Sequence, residues 1–449
     1  MGMNSNVAVT NLEKIKQINS RLDSKNIDEV EKSVKSILDS VKDSGNEALK
    51  ELTSKFDSYE LSDDDLKGIS PKGYFEKLEP KLNEALLLAE KRITRFHEEE
   101  FANSKFNEGW KFTGDLGEEL GVKYTALDSV AIYVPGGQAP LISTVLMTAI
   151  PAITAGVKRI VMFSPPPINH AVLAVAELVG VKEVYSVGGA QAVAAAAYGT
   201  ETIKPVDKIV GPGNIFVSTA KKQVFGTIGI DGIYGPSELA IIADETAKPK
   251  HLAADFLSQL EHGSGLESAL LLCTDEKVLA ETETEIERQI EALKEFKSEK
   301  VIETIKNSYK TWSACLLANE DEIPELINYY APEHLEIQLT KERLTKIIEK
   351  IKHAGAIFIG ANSCESLGDY LAGPSHCLPT GRTARFSSGL HCADFIKKSS
   401  IIDFSNINNA SKDFIEISKS CSEIARAESL EGHAKAMDFR IEEQKRSPL

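Results

Sequence analysis

The stretch RIVMFSPPPINHAVLAVAELVGVKEVYSVGGAQAVAAAAYG, Arg159 to Gly199, holds two short apolar runs, RIVMFS and EVYSV. Each is followed by a helical one, INHAVLAVAELVG and then AQAVAAAAYG. Parallel strands need a crossover between them, and a helix supplies it, so this alternation reads as consecutive βαβ units. KIVG, ending at Gly211, continues the series. A second series opens after Ser237 with ELAIIAD, a helix over 248–262, SALLLCT, a helix over 275–295, SACLLA, HLEIQL, a helix over 340–352 and AGAIFIG. The expected fold is therefore α/β, with two doubly wound, incomplete Rossmann-like modules. A cleft is expected between them, and ligands are expected outside the carboxyl ends of the strands.

Outward from these modules the texture changes. Residues 10–55 and 81–102 read as charged amphipathic helices separated by the turn-rich FDSYELSDDDLKGISPKG. The chain from about Ser399 reads as a polar, helical tail, and a long tail after a complete core often packs on another subunit. There is no repeat of fixed period and no low-complexity segment.

The chain has 449 residues, with 51 Lys+Arg against 67 Asp+Glu and a net charge of -16. That balance opposes non-specific attraction to nucleic acid or to an anionic membrane. MGMNSNVAVTNLEKIKQ has no basic region followed by an apolar one, and no apolar stretch is long enough to span a bilayer, so a cytoplasmic protein is expected. The six cysteines form no CxxC pair and are expected to be reduced.

Several groups of residues can carry chemistry. LSQLEHGSG places Gln259 and His262 three apart on one helical face, which begins a metal site as readily as it makes a surface polar pair. Asp369 and His376, in LGDYLAGPSHCLPTG, and Glu428 and His433, in ARAESLEGHAKAM, offer further donors. A set of Gln, Asp and His suits zinc or another borderline divalent ion, although spacing alone cannot pair ligands so far apart. Glycine-rich turns lie at Tyr133 (YVPGGQAP), Val187 (VGGAQAVAA) and Val210 (VGPGNIF). The last two stand between a strand and a helix, where backbone N–H groups meet phosphates. None is a G-x-G-x-x-G, so a dinucleotide site and ordinary tight turns both remain open. In YAPEHLEIQ, Glu333 and His334 are adjacent. Pro332 biases Ala331 away from helix and marks a boundary between elements, where neighbouring side chains need not diverge. The pair then reads either as a solvated carboxylate beside a packed histidine or as two groups reaching one cleft.

The chain resembles the histidinol dehydrogenase family. The resemblance rests on YVPGGQAPLISTVLMTAIPAITAGV, VGGAQAVAAAAYGT, DKIVGPGN, GPSELAIIAD, LSQLEH, YAPEHLEI, GDYLAGPSHCLPTGRTARFSSGL and AESLEGHA, which occur in the family's order across about residues 30–440. It implies two successive NAD-linked oxidations, of L-histidinol to an enzyme-held aldehyde and then to L-histidine. It also implies a homodimer with one zinc per subunit. By this resemblance zinc is held by Gln259, His262, Asp369 and His433. Substrate contacts fall on Ser237, His376 and Glu428, and on His334 and the metal ligands. NAD contacts fall on Tyr133, Gln191 and Asn214. The domains then read as an N-terminal helical arm (1–30), a first α/β domain with the metal and catalytic residues (31–130 plus 238–390), a second on the NAD side (131–237), and a C-terminal helical tail (391–449). Leu260, the GSG at 263–265, and His391 with Cys392 depart from the family's pattern.

Both oxidations remove a hydride from carbon and a proton from oxygen, and His334 is the expected base because imidazole changes charge near neutral pH. The aldehyde must become a hydrate between them, and Glu333 is the expected water activator. Zinc is expected to orient and retain the substrate through its imidazole and amine. Glu428 and His433 are expected to enter a partner's site, making shared active sites. Rival readings are a related zinc and NAD dehydrogenase of another small alcohol, such as a sulfonated diol, and a non-catalytic metal-binding scaffold.

Overall fold

The computed structural model describes residues 10–22, 27–136, 140–407 and 411–445. Residues 137–139 of the first glycine-rich turn, and the first nine residues, lie outside that set. The chain divides into two compact units, Met1–Glu100 with Leu127–Phe395, and Phe101–Ala126 with Ile396–Leu449.

The larger unit contains two five-stranded parallel sheets of one topology. In spatial order the first runs Glu183–Tyr185, Arg159–Phe163, Ser129–Tyr133, Lys208–Val210 and Gly229–Ile230. The second runs Ala314–Leu317, Ser268–Cys273, Glu238–Ala243, His334–Gln338 and Ala356–Ile359. In both, the strand earliest in sequence lies centrally, between the second and the fourth. The winding reverses there, which makes the topological switch point of a doubly wound sheet. Glu238–Ala243 and Ser268–Cys273 are buried at every residue, as strands covered by helices on both faces must be.

Each sheet has its own core. The helix Ile27–Asp57 contributes Val34, Leu38, Val41 and Leu49 to a cluster with Ala131, Val161 and Phe163 of the first sheet. The helix Asn11–Asn19 contributes Ile15 and Ile18 to a cluster with Ala240, Leu270 and Leu335 of the second. Phe256, Leu252 and Ile286 cover the opposite face of the second sheet. All six cysteines are free. Among the described residues no helix is long and apolar enough to cross a membrane.

The smaller unit is a three-stranded antiparallel sheet, Trp110–Thr113, Glu119–Ala126 and Ile396–Asp403, with the helices Lys412–Ala427 and Glu431–Lys445. Here the structure corrects the expectation of a helical tail from Ser399. Ile396–Asp403 is a strand paired along its whole length with Glu119–Ala126. Its partner lies far away in sequence, and only that long-range ladder makes IKKSSIID extended; helix begins at Lys412.

Candidate active site

A helix that follows a parallel strand returns from the carboxyl edge of the sheet, so its own C-terminus arrives at the amino edge. Three such ends meet at the amino edge of the second sheet. Pro249–Leu260 brings Gln259 and, just past its end, His262. Ile323–Tyr330 is closed by Ala331 in the left-handed region (φ +51°), with the Ala331 N–H donating to Ile327 C=O at 2.7 Å. Pro332, Glu333 and His334 then lead into the strand His334–Gln338. The short helix Glu365–Tyr370 carries Glu365 and Asp369 on successive turns. A Cβ on Gly368 would lie 2.6 Å from the Phe358 ring, so glycine permits this helix to lie close on the last strand. Helix C-termini carry partial negative charge and favour cations. The sequence placed ligands at the carboxyl ends of strands; in this sheet the chemistry-bearing residues gather at the opposite edge, because the returning helices deliver them there.

The distances are those of one site. His334 Nδ1 lies 3.8 Å from Glu333 Oε2, and His334 Nε2 lies 3.8 Å from Asp369 Oδ1. His376 Nδ1 is 3.9 Å from the same Asp369 oxygen, and its Nε2 is 3.4 Å from Thr144 Oγ1. With its amide nitrogen turned to Glu365, Gln259 donates at 2.8 and 3.1 Å, leaving the amide oxygen on the other edge. His262 Nδ1 is hydrogen-bonded to Gln259 C=O at 3.0 Å, which fixes the tautomer and frees Nε2 as a ligand. Glu333 Oε2 accepts from the Glu238 N–H at 3.0 Å. Ser237 directly precedes Glu238, at the same edge. His334, Asp369 and His376 share a cavity of about 520 Å³.

Glu365 and Glu238 were not singled out from the sequence. Glu365, His334 and Asp369 each turn a ligand atom to within 4.8 Å of the others. The i, i+4 spacing of Glu365 and Asp369 was the available signal. Nothing local marks Glu238, a buried carboxylate in a strand, as a partner of Arg21.

The electrostatics are those of carboxylates held out of water. Burial pushes the Glu333 carboxyl up to about 8 and the Glu365 carboxyl up to about 7. Burial alone would lower the His334 imidazole, but Glu333, Glu365 and Asp369 outweigh it and hold it up to about 10. Asp369 is kept below its ordinary range, its burial being outweighed by His334 and His376. The cluster therefore retains protons that a cation would displace. Amide oxygen, free imidazole nitrogen and carboxylate suit a zinc ion.

The first sheet follows the carboxyl-end rule. Tyr133 ends its central strand, Gln191 lies in the helix Gly189–Tyr198, and Asn214 caps the helix Ile215–Val224 by accepting from Phe216 and Val217 N–H at 3.0 and 3.1 Å. All three line one cavity of about 720 Å³ with Pro165 and Gly189. The Gly189 N–H donates to Tyr133 Oη at 3.0 Å, and Gly189 itself is left-handed (φ +62°). The cavity lies at the switch point of that sheet, the place where doubly wound sheets in general take their ligands. Glu428 and His433 belong to the smaller unit, one at the C-cap of Lys412–Ala427 and the other in Glu431–Lys445, and both are exposed.

The sequence model of the family described as Histidinol dehydrogenase matches residues 20–441. The chain belongs to the histidinol dehydrogenase family. It is 43% identical over 420 residues to histidinol dehydrogenase of Bacillus subtilis, covering 92% of this chain and 93% of that one. It is 45% identical over 420 residues to histidinol dehydrogenase of Aquifex aeolicus, with the same coverage. A crystal structure of histidinol dehydrogenase from Elizabethkingia anophelis superposes with a TM-score of 0.80 at 34% identity, covering 92% of each chain. As a member of the histidinol dehydrogenase family, the chain has the two-sheet α/β fold read from its sequence.

Proposed function

We propose that the protein oxidises L-histidinol through histidinaldehyde to L-histidine, the last steps of histidine biosynthesis, reducing two NAD. The observation that carries this reading is the adjacency of Glu333 and His334 beside the Gln259, His262 and Asp369 donors.

In this reading His334 accepts the hydroxyl proton as hydride leaves the same carbon for NAD. Glu333 then takes a proton from water as its oxygen adds to the aldehyde carbon. His334, having passed its first proton on to solvent, accepts the remaining hydroxyl proton of the hydrate anion as the second hydride leaves, which yields the carboxylate. Tyr133, Gln191 and Asn214 would hold NAD, the hydride acceptor. Gln259, His262, Asp369 and His433 would hold zinc, which when bound supplies an anchor for the imidazole and amine of the substrate. Ser237, His376 and Glu428 would contact the substrate's remaining polar groups. With a cation held by Gln259, His262, Asp369 and His433, His334 would be free of the proton that the carboxylates otherwise hold on it, and so neutral, as a base must be.

The same reading makes the protein a cytoplasmic homodimer with shared sites. His262, Glu428 and His433 are all exposed in the single chain, and Ile424 and Phe439 of the tail are 63% and 57% exposed, an apolar face suited to a second copy. Refolding inactive His433→Ala chains together with inactive His334→Ala chains should restore part of the activity; mixed dimers without recovery would place the tail in its own chain's site. NADH formation with L-histidinol, compared with other small alcohols and a sulfonated diol, tests the substrate. Turnover of another alcohol in preference to histidinol would replace the assignment.

A further inference from the structure

His97 and Glu100 lie one turn apart near the end of the helix Pro80–Asn103, and Cys392 opens the 3₁₀ turn Cys392–Phe395. His97 Nδ1 is 3.0 Å from Glu100 Oε2 and 3.9 Å from Cys392 Sγ. The Cys392 N–H donates to Glu100 Oε2 at 3.2 Å. One ligand atom from each of the three residues lies within 4.8 Å of the others. His97 and Cys392 are wholly buried.

The same atoms serve a hydrogen-bonded staple between helix and loop or a cation site, since His97 Nδ1 faces both the Glu100 carboxylate and the Cys392 thiol. The thiol donates to His97 C=O at 3.6 Å and also lies beside His97 Nδ1 and the Glu100 carboxylate. A tetrahedral cation with M–S of about 2.3 Å and M–N and M–O of about 2.0–2.1 Å sets S···N and N···O edges of about 3.6 and 3.3 Å. The corresponding edges here are 3.9 and 3.0 Å.

We propose that His97, Glu100 and Cys392 form a second cation site, selective for a borderline or soft divalent ion such as zinc, cobalt(II) or cadmium. Thiolate and imidazole exclude magnesium and calcium as preferred occupants. The site has an entrance. His97 and Glu100 line the same cavity as His334, Asp369 and His376, so an ion that reaches one donor set has a path to the other. An ion there ties the helix Pro80–Asn103 to the loop around Leu390, whose N–H donates to Cys377 C=O at 2.9 Å, beside His376.

The test uses the full chain, stripped with a chelator and titrated with cobalt(II) under reducing, oxygen-free conditions. The Gln259, His262, Asp369 and His433 set contains no sulfur, so a thiolate-to-cobalt charge-transfer band reports the second site alone. The wild type is expected to bind two cobalt ions per chain and to show the band. Cys392→Ser is expected to bind one and to lose the band, and Glu100→Gln to weaken it while retaining all six thiols. Absence of the band in the wild type, or its persistence in Cys392→Ser, would overturn the proposal. The proposal does not rest on the assigned reaction. A first site that failed to bind would lower the stoichiometry by one and leave the thiolate band in place.

Discussion

The backbone N–H of Glu238 donates to the Glu333 carboxylate at 3.0 Å, joining the amino ends of the two strands that flank the switch point of the second sheet. The Glu238 carboxylate accepts in turn from Arg21 Nη2 at 2.5 Å and from the Gly381 N–H at 3.2 Å. The carboxylate assigned to water activation is thus held by the backbone of a residue that is itself clamped on two sides.

Glu333→Gln keeps an oxygen that can accept from the Glu238 N–H and loses the basic carboxylate. Single-turnover hydride transfer should continue from histidinol and slow by about 10²–10⁴-fold from added histidinaldehyde, the range for loss of a general base. His334→Gln should slow both. Equal losses in the two half-reactions of both variants would remove the division of roles.

Arg21→Met leaves the Glu238 carboxylate buried without its cation. Breaking such a pair costs about 3–5 kcal/mol of stability, measured by denaturant unfolding at neutral pH. Burial already raises the Glu238 pKa, with Arg21 opposing it. The variant should raise it further. A carboxyl whose folded-state pKa is raised binds its proton more tightly when folded, so stability is gained as pH falls. The deficit of Arg21→Met should therefore shrink as the pH is lowered from neutral toward the ordinary carboxyl range, and a constant deficit would show that lost packing, not charge, is the cause.

Zinc binding to the metal-free protein should release protons. The raised Glu333, Glu365 and His334 hold protons that a cation expels. Calorimetry in buffers of different ionisation enthalpy should show net release at about pH 7.5, close to the raised carboxyl values. Binding without release would mean that the cluster is already deprotonated.

The two parallel sheets were legible because buried parallel strands are continuous apolar runs and the crossover helices between them have their own period. The three-stranded sheet was not, because Glu119–Ala126 and Ile396–Asp403 become strands only by pairing across most of the chain. Glu333 and His334 stood out by adjacency and by the Pro332 boundary. Their placement at the amino edge required knowing that helices return, bringing Gln259, His262 and Asp369 to that edge. Arg21 and Glu238 are 217 residues apart, and a buried ion pair of that span leaves no local pattern.

On the dinucleotide side, a Cβ at Gly188 would lie 2.5 Å from Pro165 Cγ and 3.0 Å from its Cα. Gly188→Ala must displace the cavity wall, at about 1–3 kcal/mol of overpacking strain. If that strain falls on cofactor binding, KM for NAD rises about 5- to 150-fold while KM for histidinol changes little. An unchanged KM for NAD would place the cofactor elsewhere.

The most direct measurement is the yield of NADH from a limiting amount of L-histidinol, with the products separated and identified. Two NADH per histidinol, with L-histidine as product and no aldehyde accumulating in solution, is the expected result for a base and a water activator serving one carbon in turn. One NADH with free histidinaldehyde would contradict the paired roles of Glu333 and His334.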